Sequence, residues 1–140
     1  MNYVINMANA SDNTSVIIVD DDFDSVEVLA EYLSIKNLNV IAKAKNGAEA
    51  VIIYEKLQPD MVLLDVIMPE YDGFYALGNI QQIDPSSKTI MVTGDLTQKT
   101  KLLFEKMRVS GVIFKPYEID DVIKVLNDVI SGKIILPPLR

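Results

Sequence analysis

Apolar residues along this chain fall into two alternating patterns. Short runs that are aliphatic or β-branched nearly throughout occur at Val16–Val19, Asn39–Ala42, Met61–Leu64, Thr89–Val92 and Gly111–Phe114, and they read as strands. Between them, apolar residues recur at helical spacing. The stripes run through Val26, Leu29, Ala30 and Leu33, through Ala48, Val51 and Ile52, through Phe74, Leu77 and Ile80, and through Leu102, Leu103 and Met107. Ile119, Val122, Ile123, Leu126 and Ile130 form the clearest stripe. Asn46-Gly47 and Tyr71-Asp72-Gly73 supply turn and cap residues ahead of the second and third helices.

Five strands alternating with five helices predict an α/β fold, a doubly wound parallel sheet covered on both faces. Strands that are apolar throughout, rather than on every second residue, fit burial from both sides. In such sheets ligands bind beyond the carboxyl ends of the strands, where the strand order reverses. Asp20, Asp21, Asp65, Thr93 and Lys115 all fall at those ends. Residues 1–15 are small and polar and read as a flexible N-terminal arm before a domain spanning residues 16–131. Gly132 stops the last helix, and Pro137-Pro138 cannot continue it. The tail, residues 132–140, is apolar; it is expected to pack back on the domain, the alternatives being a docking peptide or a linker stub.

Composition narrows the chemistry. A chain of 140 residues suits one domain. With no cysteine and no histidine, it lacks disulfides, thiol catalysis, imidazole bases and imidazole or thiolate metal ligands. A net charge of −7 argues against direct nucleic-acid binding. No apolar stretch reaches the length of a membrane span, and the first fifteen residues lack the basic and apolar regions of a signal peptide. Cytoplasmic residence is the expectation.

What remains is a set of acids. Val16–Val19 runs into Asp20-Asp21-Asp22, and Met61–Leu64 runs into Asp65. Two strands delivering carboxylates at one sheet edge predict a shared acidic pocket suited to a hard divalent cation. On the residues alone the working pair is either Asp20-Asp21 or Asp21-Asp22, and Asp22 or Asp24 can cap the first helix. A carboxylate attacks a phosphoryl group only once the repulsion between anions is cancelled. A divalent cation and Lys115 together balance Asp20, Asp21 and Asp65, leaving metal, ammonium and the Thr93 hydroxyl to clamp an incoming phosphoryl group. Taken singly, Thr93 is an ordinary strand-end hydroxyl and Lys115 an ordinary surface charge; their joint occurrence with the acids carries the reading.

Val19-Asp20-Asp21-Asp22, Lys45-Asn46-Gly47-Ala48-Glu49-Ala50, Pro59-Asp60 through Met68-Pro69, Asp72-Gly73-Phe74, Met91-Val92-Thr93-Gly94 and Phe114-Lys115-Pro116-Tyr117 follow one another in order. In these segments the chain resembles the receiver domain of two-component response regulators, the fold shared with the chemotaxis regulator. The resemblance implies a flavodoxin-like strand order 2-1-3-4-5. It implies Asp65 as phosphoacceptor, Asp20-Asp21 as the acid pair, and Mg²⁺ (or another divalent cation such as Mn²⁺) held by Asp20, Asp21, Asp65 and the backbone carbonyl of Ile67. Thr93 and Lys115 would contact the phosphoryl group, and the Lys115–Pro116 bond would be cis. Implied partners are a sensor histidine kinase or phosphotransfer protein and a downstream protein target. The target would read the face made by the fourth helix, fifth strand and fifth helix.

The chain departs from that pattern at Val112, where many receivers carry a switching aromatic. Readout is then expected through the segment from Thr93 to Arg108, with Val112 near the centre of the output face. Ile67 and Asp95 occupy positions that tune phosphoryl lifetime in the family. Val28 and Val125, on otherwise polar faces, are candidate contact residues. The function expected is a phosphorylatable receiver with no output domain of its own, not an enzyme turning over a separate substrate. An unphosphorylated interaction module is the alternative. An aspartyl-phosphate phosphohydrolase would need a second acid positioned for leaving-group protonation and usually a substrate cap, and the sequence shows neither.

Overall fold

The computed structural model describes residues 14–95 and 97–137. Five strands alternate with five helices: β1 (Ser15–Val19), α1 (Phe23–Ile35), β2 (Asn39–Ala44), α2 (Gly47–Leu57), β3 (Met61–Asp65), α3 (Gly73–Ile83), β4 (Thr89–Thr93), α4 (Gln98–Lys106), β5 (Gly111–Phe114) and α5 (Ile119–Ile130). All named pairings are parallel, in the order β2-β1-β3-β4-β5. The doubly wound α/β sheet and its strand order are as expected.

Uniformly apolar strands are explained by the two layers of core they divide. Ile17, Val19, Val62, Leu64 and Met91 face Tyr54, Leu77 and Phe104. The intervening residues Val16, Ile18, Met61, Leu63 and Ile90 face Leu29, Leu33, Val122 and Leu126. Because side chains alternate across a strand, every apolar residue of β1 and β3 meets one layer or the other. Full burial of each such aliphatic contributes about 1.5–3 kcal/mol.

Helix starts follow local chemistry. Asp22, Asn46, Asp72 and Thr97 each accept a hydrogen bond from the backbone N–H three residues on, at Ser25, Glu49, Tyr75 and Thr100. Asp22 is thus the cap of α1, and the acids that cluster with Asp65 are Asp20 and Asp21.

Three expectations change. The strand begins at Ser15, so the arm's last two residues are structured: the Thr14 carbonyl accepts from the Asn39 N–H, and the Ser15 N–H donates to the Asp60 carboxylate. The rest of the expected arm, residues 1–13, lies outside the described residues. Asp65 and Thr93 are the last residues of their strands rather than the first beyond them. Val125 is half-buried against the core and packs close to Gly111, whereas Val28 is exposed. A Cβ on Gly111 would lie 3.2 Å from Val125 Cγ1 and 3.3 Å from Val129 Cγ2, so the missing side chain lets α5 close on the sheet. No helix of the described residues is long and apolar enough to cross a membrane.

Candidate functional site

β1 and β3 are neighbours at the point where strand order reverses, and that adjacency brings their terminal acids together. One carboxylate oxygen from each of Asp20, Asp21 and Asp65 falls within 4.8 Å of the others. Oxygens around an octahedral Mg²⁺, each about 2.0–2.1 Å from the ion, would be separated by roughly 3–4 Å. The three acids therefore need only a small inward movement to grip such a cation. The donor set is all oxygen and all anionic, which suits a hard divalent ion and not a soft one.

The acids differ in exposure. Asp65 is 6% exposed, Asp20 is half-buried and Asp21 is open to solvent. Burial pushes the Asp65 carboxyl above the usual carboxylate range, opposed by a hydrogen bond from Lys115 and reinforced by the charge of Asp20. Burial likewise raises Asp20, against a hydrogen bond from the Asp22 N–H (2.9 Å) and the charge of Lys115. The Lys115 Nζ lies 3.1 Å from Asp65 Oδ1 and 3.7 Å from Asp20 Oδ2. Burial works against the ammonium. The hydrogen bond and charge of Asp65, with the charge of Asp20, outweigh it and hold the lysine pKa above its usual value. One cation facing three carboxylates leaves the pocket net negative, and a divalent ion would complete its neutralisation.

Backbone contacts hold the strand ends in place. The Val66 N–H donates to the Val92 carbonyl (3.0 Å), and the Lys115 N–H donates to the Thr93 carbonyl (2.9 Å). The Lys115–Pro116 peptide is cis, as expected. Gly73 has a role that its turn chemistry concealed. Its N–H donates to the Val66 carbonyl (2.8 Å), and a Cβ there would overlap the Asp65 carbonyl oxygen and lie 2.9 Å from Val66 Cα. Gly47 likewise approaches the Tyr71 and Asp72 carbonyls too closely for a side chain. Gly-after-Asn or Gly-after-Asp is legible in sequence as a cap; the close approach to a distant strand is not.

Thr93 is buried, and its Oγ1 accepts from the Asp95 N–H (3.0 Å). The Asp95 carboxylate accepts from the Thr97 N–H (2.8 Å) and the Thr100 hydroxyl (2.7 Å). These bonds, the backbone one first, hold the Asp95 pKa low. Asp95 thus faces the first turn of α4, not the acid cluster, and its segment connects Thr93 to that helix. Tyr117, given no role in the sequence, has its phenol pKa raised by burial and by the nearby charge of Asp20. Ile67 follows Asp65 by two residues, its side chain 74% exposed at the rim. Beside the acids opens a groove of ≈ 400 Å³, lined by Asp20, Asp21, Phe23, Lys45 and Glu49 among others. Phe23 forms its exposed apolar wall.

The model of the response regulator receiver domain matches residues 16–127, most of the chain and all of these site residues. This chain belongs to the response regulator receiver family. It is 36% identical to the chemotaxis protein CheY of Listeria monocytogenes over 112 residues, covering 80% of this chain and 94% of that protein. With the CheY of Bacillus subtilis it shares 33% over 116 residues, 82% of this chain and 97% of the other. Among solved structures, the receiver fold is shared with the CheX–CheY–BeF₃–Mg²⁺ complex from Borrelia burgdorferi at a TM-score of 0.78 and 30% identity, covering 82% of this chain and 87% of that one. A LuxR-family two-component response regulator from Aurantimonas superposes at a TM-score of 0.82 and 22% identity over 89% of each chain, a likeness of fold alone. The receiver resemblance and the strand order are borne out. Among the described residues, the acidic cluster is consistent with a metal site.

Proposed function

We propose that this receiver is phosphorylated on Asp65 with the help of Mg²⁺ and signals by altering the surface it presents to other proteins. The observation that carries the reading is the convergence of Lys115, Asp20 and Asp21 on the buried Asp65 carboxylate. The Asp65 Oδ not engaged by Lys115 attacks the phosphorus of a partner's phosphohistidine. The P–N bond breaks as the new P–O bond forms, and the imidazole leaves with the electron pair and takes up a proton. Having no histidine, this chain is the acceptor and a partner kinase or phosphotransfer protein the donor.

The chain's own residues divide the work. Lys115 pairs with Asp65 beforehand, and its ammonium would then exchange that carboxylate oxygen for a phosphoryl oxygen as its ion-pair partner. Asp20, Asp21, Asp65 and the Ile67 carbonyl would hold the cation, whose chemistry is to neutralise charge on the transferring oxygens. The Thr93 hydroxyl would turn toward the phosphoryl group, exchanging its bond from the Asp95 N–H for one to that group. Asp95 is itself stapled to α4, so the exchange pulls on the helix start. This route needs no aromatic at Val112. The likeness to a CheY solved with BeF₃ and Mg²⁺ supports the same reading.

Intact-mass measurement after incubation with a small phosphodonor tests the proposal. The expected result is a single phosphoryl gain that requires Mg²⁺ and is absent in Asp65→Asn. No gain from either a small donor or a histidine-phosphorylated donor protein would sink it and favour an unphosphorylated interaction module. Turnover of simple phosphate esters would instead indicate a hydrolase.

A further inference from the structure

The family match ends at Asn127, yet the sheet does not end with the residues it covers. After α5 the chain reverses at Gly132, whose φ of +102° favours glycine, and Lys133 returns its N–H to the Asp128 carbonyl (3.0 Å). Ile135 then pairs in parallel with Gly111, on the outer edge of β5. Its N–H donates to the Ser110 carbonyl (3.0 Å), and its carbonyl accepts from the Val112 N–H (2.9 Å). Side chains alternate as in a strand: Ile135 packs on the core layer holding Val122, Leu126 and Val129, and Leu136 on the layer holding Phe104, Val109 and Val112.

This added strand is weakly held. Among the described residues one bridge joins it to β5, and Ile135 and Leu136 are half-buried while Ile134 is 69% exposed. In a parallel ladder the next bond after the Ile135 carbonyl would come from the N–H of residue 137 to the Val112 carbonyl. Residue 137 is proline and has no N–H to give. Pro137 therefore denies the tail one of the bonds that the β5 edge offers. A segment of the same apolar character with an ordinary residue at that position would make at least one bond more.

We propose that the outer edge of β5 is a docking groove for an extended aliphatic peptide of a partner protein, running parallel to the strand, and that residues 133–137 hold it shut in cis. The seated tail itself defines the chemistry: two adjacent aliphatic side chains, one to each core layer, with backbone N–H and C=O offered to Val112 and Ser110. A partner strand lacking the proline adds the bond that the tail cannot make, and displaces the tail once its concentration and added contacts exceed the advantage of the tether. The groove operates whether or not Asp65 accepts a phosphoryl group, so failure of one reading leaves the other intact.

The test is a full chain carrying a protease site between Gly132 and Lys133, cut after folding, with the freed tail removed. The probe is a fluorescent peptide of residues 133–140. Saturable binding to the cut chain, at least tenfold tighter than to the uncut chain, is expected. A peptide carrying Pro137→Val should bind several-fold tighter still, and one carrying Ile135→Asp not at all. Equal uptake by cut and uncut chains, or none by a cut chain with an unchanged circular dichroism spectrum, overturns the proposal. Should the cut chain unfold, the uncut Ile135→Asp chain decides through hydrogen exchange. The Val112 amide should exchange at least tenfold faster while the Leu64 amide is unchanged, and an unchanged Val112 amide overturns it.

Discussion

Lys115 Nζ and Asp65 Oδ1 lie 3.1 Å apart, an ion pair between two strand ends that are not neighbours in the sheet. β4 separates β3 from β5, and the lysine reaches across its end to the acid. The pair holds Asp65 ionised against burial but does not fully offset it, since the carboxyl pKa stays above the ordinary value.

That balance predicts a gain in stability when Asp65 is neutralised. A carboxyl whose pKa is higher folded than unfolded opposes folding in its ionised form. The opposition is absent below the unfolded pKa and grows to its full size as pH rises past the folded one. Asp65→Asn should therefore raise stability without metal by about 1 kcal/mol, or roughly 3–5 °C in Tm for a domain of this size. The gap should narrow as pH falls toward the unfolded carboxyl pKa. Thermal melts of both proteins across pH in metal-free buffer check the prediction, and a less stable Asp65→Asn at pH 7 would refute it.

Metal should act as a stabilising ligand. Mg²⁺ at a hundredfold excess over its Kd stabilises by about 2.7 kcal/mol if it binds only the folded chain. Asp21 is the exposed member of the cluster, so Asp21→Asn should leave the metal-free melt nearly unchanged while weakening Mg²⁺ affinity tenfold or more. Mg²⁺ titrations followed by Tm distinguish this from a purely structural acid, whose loss would shift the metal-free melt instead.

Two glycines of α3 should respond in opposite directions. A Cβ at Gly73 would overlap the Asp65 carbonyl, so Gly73→Ala must displace either α3 or the end of β3. The expected cost is about 1–3 kcal/mol, together with weaker Mg²⁺ binding. Gly78, in the same helix, has nothing within 4 Å of its missing Cβ. Gly78→Ala should stabilise by about 0.5–1 kcal/mol through helix propensity and unfolded-state entropy. Chemical denaturation of the two variants provides the comparison.

The Thr93–Asp95–Thr100 linkage should transmit the phosphoryl state to α4. Thr100→Val removes the hydroxyl that Asp95 accepts from, while Thr100→Ser keeps it. With the phosphoryl mimic BeF₃⁻ and Mg²⁺, amide exchange in α4 should change in the wild type and in Thr100→Ser but not in Thr100→Val. Phosphoryl uptake should be equal in all three. The Asp95 pKa is depressed in the folded chain, so its contribution is present above the unfolded carboxyl pKa and lost as pH falls through the lower folded value. Protection at the start of α4 should decline in that acid window, and Thr100→Val should weaken the effect.

Much of this molecule was readable as a linear pattern because its causes are local or periodic. Apolar runs become strands where both faces are buried, as at Val62–Leu64, and Asp22, Asn46 and Asp72 cap helices through bonds made within three residues. The order of acids, threonine and lysine was legible for the same reason: each residue ends a recognisable run. Tertiary structure alone decided which ends meet. Only the neighbouring of β1 and β3 places Asp20 and Asp21 beside Asp65, and only the reach across β4 gives Lys115 its partner. Gly73 passes for a turn residue until α3 is packed on the Asp65 backbone, and the tail, expected to pack back on the domain, finds its place only where the β5 edge accepts Ile135. Those are contacts between distant segments, and their energy depends on geometry that no local run of residues contains.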